Sequence, residues 1–411
     1  MIPFSPPRID QKIIDSVVDT LKSGWITTGP KTKLFEKKLT EYCGNKSTVC
    51  LNSATAGLEL MLRWFGVKEG DEVIIPAYTY SATANVVIHC GAKPVFVDIN
   101  EDDFLISVNK IERAITSKTK VIMPVDFAGM PCNYEAINAL VINTTVKNKF
   151  VATSEQQKKL GRILVLADAA HSMGAIYKGA KSGCLTDVSV FSFHAVKNLT
   201  TAEGGAVALN LPVPFDNDAI YTQLCISSLH GQNKDALAKT QRGNWKYDIV
   251  EAGYKCNMTD MSAAIGLIEL ERYDNDTLLK RKHIVDLYNQ KLKKYDWAIL
   301  PVHEIENEKT ESCYHLYPLR IKGITEKQRD EIMQHIFNKD VSVNVHFIPL
   351  PMLSFYKKMG YDIKNYPNTY AHFANEISLP IFYDLTDEQI DKVVNAVVTG
   401  VEAVMLIHAK V

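Results

Sequence analysis

The chain lacks most of the features that assign a protein at a glance. Its eight cysteines (Cys43, Cys50, Cys90, Cys132, Cys184, Cys225, Cys256 and Cys313) include no CxxC pair, which argues against a zinc site or a disulfide scaffold and for reduced thiols. Neither sign of charge is in excess. The 46 Lys and Arg against 47 Asp and Glu leave −1, so nothing favours nucleic acid or an anionic membrane surface. Long apolar runs are missing too: the best late stretch, 393–411, is interrupted by Asn395, Gly400, Glu402 and His408 and predicts a helix rather than a membrane span. The opening MIPFSPPRIDQKI has two adjacent prolines and early charges, and no signal peptide is expected there. Internal repeats, Gly/Ser linkers, low-complexity tracts and an attached helix-turn-helix segment are absent. The expectation is a soluble, cytoplasmic protein without nucleic-acid or membrane partners.

What is present is a chain of 411 residues, 46% hydrophobic and 23% charged, long enough for two domains. Short apolar runs alternate with helical patterns through the first half: strands are predicted at 47–51, 71–75, 94–98, 120–124, 163–167, 188–193 and 206–209. Helices are predicted at 9–23, 31–42, 58–65 and 81–90, and a long one from 261 onward. The run at 163–167, ILVLA, is apolar throughout, as a central parallel strand must be. The pattern predicts an α/β sheet with its site at the strand C-termini. The later sequence is helix- and lysine-rich, with strand, helix and strand at 314–321, 328–337 and 342–347 and closing helices at 370–376 and 388–407. That gives a large domain over 1–265 and a smaller α+β domain over 266–411.

Chemistry collects where these strands end. In VSVFSFHAVKNLTTAEGGAV, a strand leads to Lys197, set among Ser192, His194, Asn198, Thr200 and Thr201. Desolvation lowers an ammonium pKa, and a neutral amine is the form that attacks an aldehyde. On this stretch alone, an ordinary turn lysine is the simpler reading. The strand at 163–167 delivers Asp168, then Ala169, Ala170 and His171; a carboxylate there is costly unless it meets a cation or proton donor. The turn NSATAG, with Thr55 and Ala56, is either a phosphate cradle at a helix start or a helix cap. Tyr80, at a strand-to-helix junction, either lies flat on a planar ligand or belongs to the core. One cofactor, pyridoxal phosphate, uses all of these groups: a lysine for its aldehyde, a carboxylate for its ring nitrogen, an anion cradle and a flat neighbour for its ring.

The segments GWITTGPKTKLFEKKL, NSATAGLEL, PAYTYSATANVVIHCGAKPVFVDI, VDFAGMPCNYEAI, ADAAHSMGAIYKG, FSFHAVKNLTTAEGGAV, GYKCNMTDMSAAIGLIELER, VNVHFIPLPMLSFYKKMGY and EISLPIF cover nearly the whole chain. Together they resemble the DegT/DnrJ/EryC1/StrS sugar aminotransferases, fold-type I pyridoxal-phosphate enzymes. The resemblance implies a mostly parallel seven-stranded sheet sandwiched by helices, a smaller α+β domain, and a homodimer with shared active sites. It implies that Lys197 is the Schiff-base lysine and proton shuttle, Asp168 the pyridinium partner, and His171 a neighbour of the ring hydroxyl. Thr55, Ala56 and Ser192 become phosphate contacts, Tyr80 the ring stacker, and Asn257 a residue reaching the partner's site. Thr27, His194 and His346 become candidate substrate contacts.

The implied reaction moves an amino group from glutamate to a nucleotide-linked keto sugar, with pyridoxamine phosphate as the form between the two halves. The lean is toward a 4-keto-6-deoxy sugar, feeding polysaccharide or glycoconjugate synthesis. A cofactor-assisted sugar dehydration is the alternative within the fold, but relatives of that kind carry histidine where this chain has Lys197. A non-catalytic, cofactor-binding regulator is the other alternative. His315, in YHLYPLRI, alternates as a strand residue and reads as structural, whereas His230 and Arg242 offer polar groups for a donor carboxylate.

Overall fold

The computed structural model describes residues 1–234 and 246–408. Seven strands form the main sheet: β1 (Ser47–Leu51), β2 (Glu72–Pro76), β3 (Lys93–Val97), β4 (Thr119–Ile122), β5 (Leu164–Asp168), β6 (Val188–Ser192) and β7 (Gly205–Leu209). Their spatial order is β1-β7-β6-β5-β4-β2-β3. From β3 across to β6 every pairing is parallel, and β7 runs antiparallel to both β6 and β1. Helices cover both faces of the sheet, as its parallel part requires, and β1, β5 and β7 are buried along their whole length.

Alternate residues go to opposite faces. Val49, Val73, Leu164, Leu166 and Val190 join the cluster that holds helix α3, Ala54–Trp64. On the other face Ile74, Ile122 and Val165 pack with Ile137 and Val141 of the helix Tyr134–Ile142, while Cys50, Phe191 and Ala206 meet Phe35 and Leu39 of the helix Pro30–Cys43.

Helix α3 begins earlier than the expected 58–65. Ser53 caps it by accepting the Ala56 N–H at 3.1 Å, so the small residues of the turn form the first helical turn instead. Gly57 lets that turn lie close on the sheet: a Cβ there would sit 2.9 Å from both Val190 and Val207 methyls.

The C-terminal part has its own apolar cluster, built from the helices Leu278–Leu292, Glu326–Phe337 and Asp387–His408. They cover a three-stranded antiparallel sheet ordered Ala298–Ile299, Tyr317–Ile321, Glu376–Leu379. The strand expected at 342–347 does not form. Val341 and Asn344 make single bridges to Ile2 and Ser378, and the Asn344 side chain accepts the Val345 N–H, turning the chain before Pro349 and Pro351. The second long strand is Glu376–Leu379, where the helix expected at 370–376 has already ended at Asn375. Among the described residues, no helix is long and apolar enough to cross a membrane.

Candidate active site

Parallel neighbours β5 and β6 end side by side, with Asp168 opposite Val190 and Ser192 closing β6. β1 ends at Leu51 and feeds the start of α3 across the intervening β7. The expected chemistry therefore meets at the C-terminal edge of the sheet. A cavity of about 380 Å³ opens there, lined by Thr55, Tyr80, Asp168, His171, Ser192, His194, Lys197 and His346. Phe4, Ser5, Thr79, His315 and Phe347 complete much of its wall.

Asp168 is buried, and burial pushes its carboxyl above the usual range. Three groups oppose this: the Thr83 hydroxyl donates to Oδ2 at 2.8 Å, the Ala170 N–H to Oδ1 at 3.2 Å, and the Lys197 charge attracts it. No ion pair reaches Asp168 among the described residues. Burial lowers the Lys197 amine to about 8, against the pull of Asp168 and Cys313. The surrounding imidazoles are held neutral by burial and by the Lys197 charge: His171 and His315 lie well below their ordinary value, and His346 falls to about 4. A poised amine thus stands in a cavity of neutral rings opposite a carboxylate without a cation.

The start of α3 supplies an anion cradle. Ser53 Oγ already occupies the Ala56 N–H, while the Ala54 and Thr55 amides carry no hydrogen bond among the described residues. Gly205 admits this turn to the sheet edge, since a Cβ would fall 2.3 Å from Ala54 N. His171 Nδ1 is buried without a hydrogen-bond partner among the described residues. A pyridine ring with a phosphate answers each vacancy: a ring N–H for Asp168, an anion for the free amides, and polar ring substituents for His171. The residues present fit pyridoxal phosphate.

Not every expected residue lines this cavity. Ala56 is the third residue of the helix, its amide spent on the cap. Thr27 contributes its carbonyl to the Asp260 N–H at 3.0 Å, in a loop held by Asp260, whose carboxylate also accepts from the Gly29, Lys31 and Thr32 amides. Asn257 donates to Thr28 Oγ1 and accepts from Lys255. Arg242 and Trp245 fall outside the described residues. His315, read from the sequence as a structural residue, also lines the cavity. Its Nδ1 meets Asn198 Oδ1 at 2.8 Å, and its ring lies 4.4 Å from that of His171.

Sequence reading missed Thr83, Phe4 and Phe347. Thr83 lies one helical turn past Thr79 in TYSAT, a spacing that marks a shared face but names no partner. Phe4 stacks on His346 with centroids 5.4 Å apart, and nothing local to MIPF signals that.

The chain matches the sequence model of the DegT/DnrJ/EryC1/StrS aminotransferase family over residues 7–398. It is 40% identical over 399 residues to MJ1066 of Methanocaldococcus jannaschii, a protein of uncharacterized function, covering 96% of each chain. It is 35% identical over 403 residues, again 96% of each, to the spore coat polysaccharide biosynthesis protein SpsC of Bacillus subtilis. Among solved structures, the Streptococcus pneumoniae protein Spr1654, assigned as a sugar aminotransferase, superposes in its PMP form with a TM-score of 0.94 at 48% identity. That match covers 98% of this chain and 100% of Spr1654, which is also known in a PLP form.

Proposed function

The chain belongs to the DegT/DnrJ/EryC1/StrS aminotransferase family of pyridoxal-phosphate enzymes, and from that premise we propose a substrate pair and a role for each side chain. The donor is L-glutamate and the acceptor a nucleotide-linked keto sugar, of the 4-keto-6-deoxy class. The product is a nucleotide-linked amino sugar for surface polysaccharide or glycoconjugate synthesis. SpsC, at 35% identity a polysaccharide biosynthesis protein, supports this direction.

The observation that carries the reading is the pairing of Lys197, its amine lowered to about 8, with a buried Asp168 that has no cation of its own. When bound, pyridoxal phosphate supplies an electron sink for the pair left when an amino acid loses its α-proton. Asp168 holds the proton on the ring nitrogen, kept charged by the Thr83 hydroxyl and the Ala170 amide. The Ala54 and Thr55 amides and Ser192 Oγ bind the phosphate. Tyr80, 62% exposed at the cavity, covers one ring face, and His171 stands at the ring edge. Lys197 Nζ would hold the cofactor and, once free as a neutral amine, would take the proton from glutamate Cα and serve as the proton shuttle of the transfer. In the sugar half the same nitrogen returns a proton to the acceptor carbon. His194 and His346 face the sugar.

A homodimer with shared sites belongs to the proposal. Ile14, Val18 and Leu21 expose an apolar stripe on the helix Gln11–Ser23, and Thr27 and Asn257, which do not line the Lys197 cavity of their own subunit, are assigned to the partner's. The domains are taken as 1–265, which holds the seven-stranded sheet, and 266–411, which holds the three-stranded one.

The test is spectroscopic. Holoenzyme should show a visible band that glutamate bleaches and a nucleotide keto sugar restores, and Lys197→Ala should lack the band. A band indifferent to glutamate overturns the donor, and bleached enzyme that no nucleotide keto sugar recolours overturns the acceptor.

A further inference from the structure

We propose that Glu376 and Ser378 are positioning residues that decide which ring nitrogen of His346 carries the proton. With Glu376 charged, His346 presents a bare Nε2 that accepts a hydrogen bond from a hydroxyl of the acceptor sugar. Only that last step rests on the substrate reading above.

The strand Glu376–Leu379 reads E-I-S-L, and its alternation sends Ile377 and Leu379 into the apolar cluster. Glu376 and Ser378 share the opposite face, and both are fully buried, where a carboxylate and a hydroxyl must find partners. Each finds the other and His346. The His346 backbone N–H donates to Glu376 Oε2 at 3.1 Å, Ser378 Oγ donates to Glu376 Oε1, and His346 Nδ1 lies 2.9 Å from Ser378 Oγ. Paired amides and carbonyls of Asn344 and Ser378, at 3.2 and 2.8 Å, hold the two segments in register. The ring is fixed by Phe4 stacked on it and by the Tyr78 hydroxyl donating to the His346 carbonyl.

A hydroxyl has one proton, so this chain has a direction. A charged Glu376 only accepts; Ser378 gives it the proton and accepts Nδ1–H from the ring. The neutral ring then has a lone pair at Nε2, which has no hydrogen bond among the described residues, on a ring that lines the Lys197 cavity. A protonated Glu376 reverses the two side-chain links, donating to Ser378, which donates to Nδ1, while the His346 backbone N–H still donates to Oε2; Nε2 then carries the hydrogen. Arg329 is the cation facing Glu376, Tyr78 is an un-ionised phenol beside it, and Lys197, His171 and His315 are the titratable groups facing His346. Burial lifts Glu376 to about 8, while His346 stays neutral because burial and Lys197 lower it to about 4. Only the position of the ring proton changes.

The experiment uses holoenzyme labelled with ¹⁵N-histidine, His346 being assigned by its absence in His346→Gln. Ring nitrogen shifts distinguish the two tautomers. In wild type the shifts should change in one step between about pH 6 and about pH 10, from Nε2–H to Nδ1–H. Glu376→Gln, whose amide donates to Ser378, should hold Nε2–H throughout. Ser378→Ala should abolish the step and Ser378→Thr should keep it. Above the step, Glu376→Gln should raise the sugar KM about tenfold with kcat nearly unchanged, the worth of one good hydrogen bond. Bleaching by glutamate should change by less than about twofold, because the donor half does not use this group.

A wild-type tautomer constant across that range, or a step that survives in Glu376→Gln, overturns the relay. An unmoved sugar KM in Glu376→Gln overturns its role in sugar binding. If wild type accepts no nucleotide keto sugar while the ring shifts behave as stated, the substrate reading falls and the relay stands.

Discussion

Thr83 donates its hydroxyl to Oδ2 of Asp168 at 2.8 Å, reaching from the helix Ser81–His89 to the end of β5. The contact opposes the burial that drives this carboxyl toward its neutral form, and only a charged carboxylate can hold a protonated pyridine nitrogen. Thr79 Oγ1, 2.8 Å from Thr83 Oγ1, extends the pair. Thr83→Val keeps the shape and removes the donor. A hydrogen bond to a charged group contributes about 1.5–3 kcal/mol, so the cofactor Kd should rise by about ten- to a hundredfold. Thr83→Ser should stay close to wild type. Titration of the visible absorbance measures both.

Lys197 gives a pH prediction with a definite sign. Its amine is lowered to about 8, so the nucleophilic neutral form grows as pH rises toward 8 and saturates above it. Capture of pyridoxal phosphate by the apoenzyme should therefore accelerate by about tenfold per unit below pH 8 and level off beyond, as expected for an activated lysine. Stopped-flow absorbance would show it. A profile still rising at pH 10 contradicts the lowered amine.

Gly205→Ala probes the phosphate cradle. The new Cβ would lie 2.3 Å from Ala54 N and 2.4 Å from Ser53 C, both backbone, so the start of α3 must move. The cost should be about 1–3 kcal/mol, typical of overpacking. Thermal melts with and without cofactor should both drop. The gap between them should narrow as well, because the free amides are displaced from their anion.

Asp260 anchors the loop that carries Thr27 and Thr28. Its buried carboxylate accepts from the amides of Gly29, Lys31 and Thr32 and from Thr32 Oγ1 at 2.7–3.0 Å. Asp260→Ala should destabilise the fold by about 3 kcal/mol in urea unfolding, since buried donors lose their partner. Asp260→Asn should cost less than Asp260→Ala.

The sheet was legible because its strands are short, mostly apolar runs separated by helical patterns, and the central parallel strand carries the wholly apolar LVLA. Asp168 stood out at the end of such a run, whereas Lys197, on its own stretch more simply a turn lysine, stood out only in combination with the other strand-end groups and the family resemblance. The misread segment is instructive. VSVNVHF does alternate, and Val341 and Val343 are buried, but no strand lies alongside for more than one bridge. Alternation reports a buried face; ladder partners are settled by the tertiary structure. The same limit hid Thr83, Phe4 and the Glu376–Ser378 pair, whose partners lie far away in sequence. His315 shows a further gap: it lies just before the strand Tyr317–Ile321 in a run that is buried throughout, and its neighbour across the cavity, His171, was invisible.

β1 has a single partner in the main sheet, β7, with Leu51 opposite Gly205. A chain emerging from the ribosome N-terminus first makes β1 long before it makes β7. During that interval the strand has no ladder to join, and the amides at the start of α3 have no fixed place in space. Asp168 and Lys197 are both synthesised before the cradle can close over them. The cofactor site is therefore assembled late, by the arrival of GAVAL, and a nascent or truncated chain ending before Gly205 should carry both key side chains yet be unable to hold the phosphate.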